Sequence, residues 1–478
     1  MLFNSAEFLV FFPLVVAAFF LLPARGRVYW LLAASYYFYA SWRLEYLLLI
    51  IGSTIVDYWA AQRMAASSNR SVRRGWLYVS LAFNLGMLAV FKYANFLGEN
   101  LQLAFDQFNI MAELPNWDLV LPVGISFYTF QTLAYTLDVY HGRLQPERSL
   151  PHFALYVAFF PQLVAGPIER AGRLLPQFRQ QMSFDAGRII GGVQQIIWGL
   201  FKKLVIADRL SVYVGQVYGN YEVADGPALW LATFFFALQI YCDFSGYSDI
   251  AIGAARVMGY DLMDNFRLPY LSRSPREFWA RWHISLSTWF RDYVYIPLGG
   301  NRVQSGRWLI NIVLVFALSG LWHGASWNFV IWGLAHAALL IGSLLLAKSW
   351  HKAVGKGRGV QLVNWLGTFL AVLLLWVFFR AESLEQSTHI LGDMLSTPFN
   401  WSQQAWNNLF NFREAGRLYL DLLLVLAFIS SDPWLDRQVK GLQGGESFRY
   451  GQLIVPTLLA LILIFGYFGE VAFIYFQF

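Results

Sequence analysis

The chain has 478 residues, 57% hydrophobic and 18% aromatic, and only 13% are charged, against roughly 25% in ordinary soluble domains. So few charges cannot cover so much apolar surface in water, which excludes a soluble multidomain protein, a disordered chain, a coiled coil and a nucleic-acid-binding module. The net charge of +6 is then a mark of cytoplasmic loops in a polytopic membrane protein. The single cysteine, Cys242, allows no internal disulfide and no thiolate metal cluster, and no metal site is expected.

The first apolar run, Phe8 to Leu22, has no Lys or Arg before it and is followed by Arg25 and Arg27. A cleavable signal peptide has the reverse order, so the run reads as a retained helix with its N-terminus outside. A spanning helix needs about 20 mostly apolar residues. Segments 7–23, 28–42, 44–62, 76–97, 117–140, 187–207, 228–257, 362–380, 417–431 and 451–475 approach that pattern. Basic loops at 63–75, 167–189, 259–307 and 348–359 suit the cytoplasm, while the loop at 98–116, without Lys or Arg, and the acidic 208–227 suit the outside. Segment 259–307 alone holds seven arginines against four acids.

Two stretches resist this alternation. Residues 152–166 are apolar and short, contain Pro161, and have basic flanks on both sides. A re-entrant segment packed against protein accommodates that. Residues 308–347 also have basic flanks. Their first leg, Trp308 to Gly320, reaches only about 20 Å at 1.5 Å per residue, short of a roughly 30 Å core. A turn at membrane depth is therefore expected at Gly320–Gly324, with His323 on it. The whole predicts an all-α polytopic membrane protein of about 11–13 membrane helices and re-entrant segments. It forms a single embedded domain: N-terminal helices at 1–97, a catalytic core at 117–347 and C-terminal helices at 362–478.

Ionisable groups inside a membrane are costly and mark function. Three clusters stand out. His323 lies in Leu321-Trp322-His323-Gly324-Ala325-Ser326-Trp327-Asn328. A structural histidine bonded across helices is the plain alternative, but the flanking glycines and the nearby Ser326 and Asn328 favour chemistry. An imidazole, whose unperturbed pKa is about 6.5, is a suitable general base for a hydroxyl or thiol when neutral. The second cluster is basic. Phe278, Trp282, Ser285 and Trp289 follow helical spacing, which predicts an amphipathic helix at the interface or dipping into the protein. Anchoring at headgroups explains it; so does an entrance for an anionic donor, with His283 inside it and Arg267, Arg276, Arg281 and Arg291 offered to phosphate. The third holds Asp243 and Asp249 in the apolar 228–257 segment. They either fix helix packing or orient a catalytic histidine. His351 and His389 fall in predicted loops, His141 and His152 near a helix end and the re-entrant start, and His336 is assigned to packing.

The motifs Asp243-Phe-Ser-Gly-Tyr-Ser-Asp249, Asn265-Phe-Arg-Leu-Pro-Tyr270, Phe278-Trp-Ala-Arg-Trp-His283-Ile-Ser-Leu-Ser, Phe290-Arg-Asp-Tyr-Val-Tyr-Ile-Pro-Leu-Gly-Gly300 and Trp322-His323-Gly324 resemble the membrane-bound O-acyltransferase (MBOAT) family. More narrowly, they resemble its bacterial branch devoted to alginate O-acetylation. Trp376-Val-Phe-Phe-Arg-Ala381 and the ending Phe473–Phe478 are similar as well. The resemblance implies a many-helix bundle pierced by a channel from the cytoplasm to the outer face of a bacterial inner membrane. It makes His323 the catalytic histidine and His283 the second signature position. It also implies transfer of acetyl groups to periplasmic acetyltransferase partners that esterify an exported polysaccharide.

The joint expectation is an O-acyltransferase with acetyl-CoA as donor at the arginine-rich mouth and no bound cofactor. His323 acts as general base or transient acetyl carrier. His283, Asp243, Asp249, Asn265, Trp322, Ser326 and Asn328 support it. A transporter or flippase, a D-alanyl transferase and a membrane scaffold are the rival readings; no internal repeat of the transporter kind is present.

Overall fold

The computed structural model describes residues 1–117, 119–164, 166–355, 357–397, 402–441, 451–469, 471 and 473–474. No strand occurs among them. Eight of the described helices are long and apolar enough to cross a membrane, and two shorter apolar helices accompany them. The chain folds as two compact units, 1–192 with 251–263, and 193–250 with 264–478.

The first unit begins with α1 (Ala6–Leu21), α2 (Ala24–Ala40) and α3 (Leu44–Ala65). Next comes α4 (Arg70–Gln107), which carries a π turn at Ala89–Tyr93. Helix α4 thus runs well past the predicted 76–97 and takes up part of the expected 98–116 loop. Helix α5 (Ile125–Tyr140) starts later than predicted, after Gly124 in the left-handed region. A Cβ at Gly124 would sit 2.7 Å from the Leu163 carbonyl oxygen, so only glycine fits there. The 152–166 stretch forms α6 (Leu150–Ala158) and α7 (Phe160–Leu163), interrupted at Phe159. Residues Phe153 to Leu163 are buried throughout, as non-spanning backbone in a membrane protein must be. Helix α8 (Ala171–Phe178) follows. A buried network joins α3, α4 and α5. Asp57 accepts from Ser80 (2.5 Å) and Asn84 (2.9 Å), and Thr132 donates to the Asn84 side-chain carbonyl (3.4 Å).

Two long helices continue from one unit into the other: α9 (Ala186–Gly219), with a π turn at Lys202–Ala207, and α10 (Gly226–Met258). Helix α9 converts much of the expected 208–227 loop into helix. Within the second unit these helices approach closely at Gly199, where a Cβ would lie 2.5 Å from the Gly246 carbonyl oxygen.

The second unit then holds α11 (Pro275–Arg281), α12 (Ile284–Phe290), a π turn at Arg291–Tyr295, α13 (Ser305–His323) and α14 (Trp327–Val354). Helices α15 (Arg358–Arg380), α16 (Leu384–Ser396), α17 (Gln403–Asn411), α18 (Ala415–Gly441) and α19 (Gly451–Phe465) complete it. Helix α14 extends into the expected 348–359 loop, which puts His351 on a helix. His389 lies on α16, paired with Asp393 at 3.2 Å, and not in a loop. His336 packs as expected, buried against Trp332 (4.8 Å between ring centroids) and Trp279 (5.0 Å).

The expected short leg is corrected. Helix α13 has 19 residues, about 28 Å at 1.5 Å per residue, which is close to the ~30 Å hydrocarbon core. Gly320 is not the turn but a packing surface. A Cβ there would collide with the Phe329 carbonyl oxygen, and one at Gly333 with that of Phe316. Glycines let α13 and α14 pack backbone to backbone, and only residues 324–326 connect them.

Candidate functional site

His323 closes α13 as its last residue, with Gly324 as extended C-cap, and is 2% exposed. It therefore sits on the final helical turn and not on the connection. Its ring lies 5.0 Å from Trp332, 5.3 Å from Phe379 and 5.0 Å from Trp322. Gly324 belongs to the same construction, because a Cβ there would strike the Phe329 ring.

The expected amphipathic helix across 278–289 is broken. Its two halves, α11 and α12, meet at His283, which adopts φ 42° and ψ 57°. Ser274 caps α11 by accepting from the Glu277 amide, and Pro275 at the first position suits that start. Phe278, Trp282, Ser285 and Trp289 are all buried, so the segment dips into the protein, with the left-handed His283 as the break between its two helices. His283 is fully buried; its ring stands 6.4 Å from that of His323, 5.8 Å from Trp322 and 4.6 Å from Phe244. Burial pushes the His283 imidazole down to about 3, so it stays neutral at physiological pH, with one ring nitrogen to donate and one to accept a hydrogen bond.

The two aspartates go elsewhere. Asp243 pairs with Lys203 at 2.8 Å, and its other oxygen accepts from the Ile474 amide at 2.8 Å. Asp249 pairs with Lys202 and accepts from Gln195 at 3.1 Å. The idea that one of them orients a histidine gives way to lysine pairing. Neither lysine was picked out from the sequence, since both read as the end of an apolar run. The π turn explains their reach: its i→i+5 geometry stacks Asp208 over Lys203, 2.6 Å from the ammonium. Lys202 also donates to Ser245 at 2.9 Å.

Asn265 is drawn into the His283 turn, accepting from the Ser285 hydroxyl at 2.6 Å. Asn328 donates to the Ala381 carbonyl at 2.7 Å, capping the end of α15, and accepts from Ser387 at 3.2 Å. Ser326, half-buried, lies in the short connection and its carbonyl accepts from the Val330 amide. Phe473 and Ile474 are buried; the rest of the recognised ending, Tyr475 to Phe478, lies outside the described residues.

A cavity of about 710 Å³ in the same unit is lined by Arg276, Trp279, Ile284, Arg291, Tyr295 and Ser319 among others, and neither His283 nor His323 is among its lining residues. That volume lies within the ~300–1,000 Å³ usual for ligand sites. Ile284 follows His283 in sequence, and Ser319 precedes His323 by four residues, one helical turn on the same face of α13. The four arginines expected at a mouth divide here. Arg276 and Arg291 line the cavity, Arg291 with its Nε paired to Asp292 at 2.8 Å. Arg267 pairs with Asp264 at 3.2 Å, and Arg281 is turned to Glu277 at 2.5 Å.

The fold is that of a polytopic helical membrane protein whose second unit holds a buried histidine pair and an arginine-lined cavity. Residues 146–381 match the model of the membrane-bound O-acyltransferase family. The chain is 40% identical over 399 residues to the probable alginate O-acetylase AlgI of Azotobacter vinelandii, covering 83% of this chain and 78% of the relative. It is 39% identical to the protein of the same name from Pseudomonas aeruginosa, covering 90% and 81%. Identity to the peptidoglycan O-acetyltransferase of Helicobacter pylori is 35%, covering 83% and 80%. The chain belongs to the membrane-bound O-acyltransferase family. It is an O-acyltransferase, which closes the transporter and scaffold readings.

Proposed function

We propose that this enzyme takes an acetyl group from a cytoplasmic thioester, acetyl-CoA, and passes it across a bacterial inner membrane for O-acetylation of an exported polysaccharide. Alginate is the acceptor polymer suggested by the alginate O-acetylases to which the chain is similar, and periplasmic acetyltransferases complete the delivery. The N-terminus faces the periplasm, in keeping with the arginines that follow the first apolar run. The observation that carries the reading is the buried His323, 6.4 Å from His283, with an arginine-lipped cavity reaching Ser319 on its own helix.

In this reading the donor's phosphates rest at Arg276 and Arg291, whose guanidinium forks suit phosphate. The acetyl end lies toward Ile284 and Ser319. His323 takes the proton of an acceptor hydroxyl as that oxygen attacks the thioester carbonyl. The acyl C–O bond forms, the C–S bond breaks, and the proton passes from the imidazole to the departing thiolate. His283, neutral and close by, hydrogen-bonds within the same reaction space. Asp243 and Asp249 serve the enzyme from a distance, by holding the lysines of α9 against α10.

Purified protein given acetyl-labelled coenzyme A and an acceptor hydroxyl tests this. Release of free thiol matched by ester-linked label supports it. Binding of the thioester without consumption contradicts it.

A further inference from the structure

His283 and Leu268 are the two non-glycine residues with positive φ among the described residues of the second unit, at 42° and 49°. Such backbone carries strain and persists only when its surroundings over-determine it. Here the surroundings are two short segments, 265–268 and 281–285, lying side by side. The Arg267 amide donates to the Arg281 carbonyl at 3.0 Å, and the Ile284 amide donates to the Asn265 carbonyl at 2.9 Å. These two bonds bracket Trp282 and His283.

Side chains double the hold. The Asn265 side-chain oxygen accepts from the Ser285 hydroxyl at 2.6 Å and from the Ser285 amide at 3.3 Å, while its nitrogen donates to Ser248 at 3.3 Å. Ser248 belongs to α10, so the clamp is fastened to a long helix and not to another loop. Asn265, Ser285 and Ser248 are all buried. A buried amide with both ends bonded is geometrically strict: its oxygen is committed to the start of α12, its nitrogen to α10. The Ser285 amide belongs to the first turn of α12, where helix donors lack an internal partner.

We propose that Asn265 is a positioning residue of the acyl transfer, clamping the left-handed turn so that the His283 imidazole faces His323. It touches neither donor nor acceptor. Ser285 and Ser248 extend the clamp on either side. The inference rests on the assignment of His283 to the reaction space under the proposed function.

The test is steady-state transfer from acetyl-CoA by purified wild type, Asn265→Ala, Asn265→Asp, His283→Ala and Asn265→Ala/His283→Ala, each normalised to monodisperse folded protein. Asn265→Ala is expected to lower kcat by about 10- to 100-fold, the scale of a misplaced reacting group, with donor KM within about twofold. Asn265→Asp keeps the acceptor for Ser285 and should recover most of that loss. The double variant should be no slower than His283→Ala, because residues acting through one another are not additive. A wild-type kcat in Asn265→Ala overturns the clamp. So does a double variant slower than His283→Ala by the full Asn265→Ala factor. A His283→Ala enzyme with wild-type kcat overturns the reading of His283 itself, and the clamp with it. Ser285→Ala, which loses the 2.6 Å bond alone, carries the same measurement should Asn265→Ala not accumulate.

Discussion

Two buried polar regions of the second unit solve the cost of burial in opposite ways. At the π turn of α9, charge is met by charge: Lys203 lies between Asp208 and Asp243, and Lys202 lies against Asp249 and Ser245. At the histidines, rings meet rings: Phe244, Trp322, Trp332 and Phe379 surround His283 and His323. Adjacent residues of α10 serve both, Asp243 turning to the lysine and Phe244 to His283. The lysine region commits its charges to one another and is a staple. The histidine region leaves its imidazoles among aromatic rings, with no carboxylate or ammonium in the ring contacts around them.

This contrast can be broken by removing groups from each side. Lys203→Met leaves two buried carboxylates without their cation and should destabilise the fold by about 3–5 kcal/mol, read as a large fall in Tm of the detergent-solubilised protein. The same substitution combined with Asp208→Asn and Asp243→Asn should regain much of it, since a neutral network of similar volume does not bear an uncompensated charge. If Lys203→Met keeps its Tm but loses transfer, the staple reading is wrong.

Gly320→Ala should cost less, about 1–3 kcal/mol for overpacking the α13–α14 crossing. It should also slow transfer, because His323 is on the displaced helix; unchanged stability and rate would show that the close approach does not position His323. Arg276→Ala should raise the donor KM about tenfold, which corresponds to about 1.4 kcal/mol, with kcat unchanged. A kcat loss at constant KM would move Arg276 out of the donor site. Arg267→Ala, which loses only an exposed pair with Asp264, should change Tm and rate least, by less than about 1 kcal/mol. An effect as large as that of Arg276→Ala would restore Arg267 to the mouth.

Much of this was legible in the residues. Glycines on both sides of Trp322-His323 single out that imidazole in the sequence, and composition alone specifies helices. The role of Gly320 was misjudged because a glycine read as a turn also serves helix–helix contact, and only the partner's carbonyl distinguishes the two. The break at His283 was hidden because Phe278, Trp282, Ser285 and Trp289 fit one continuous helix. What splits it is the tertiary ladder to Asn265 and Arg267, which no local pattern encodes. Lys202 and Lys203 were missed at the end of an apolar run. Yet Asp243 and Asp249 in an apolar span already required cations, and that was the signal available.

If chemistry belongs to the histidine region and not to the lysine staple, the two must separate when His323 alone is removed. The decisive experiment is transfer of labelled acetyl from coenzyme A by purified His323→Ala protein, compared with wild type at equal amounts of folded enzyme. The predicted result is a rate lower by about 10²–10⁴-fold with an unchanged Tm and retained thioester binding. Near-normal transfer by His323→Ala would put the chemistry elsewhere in the molecule.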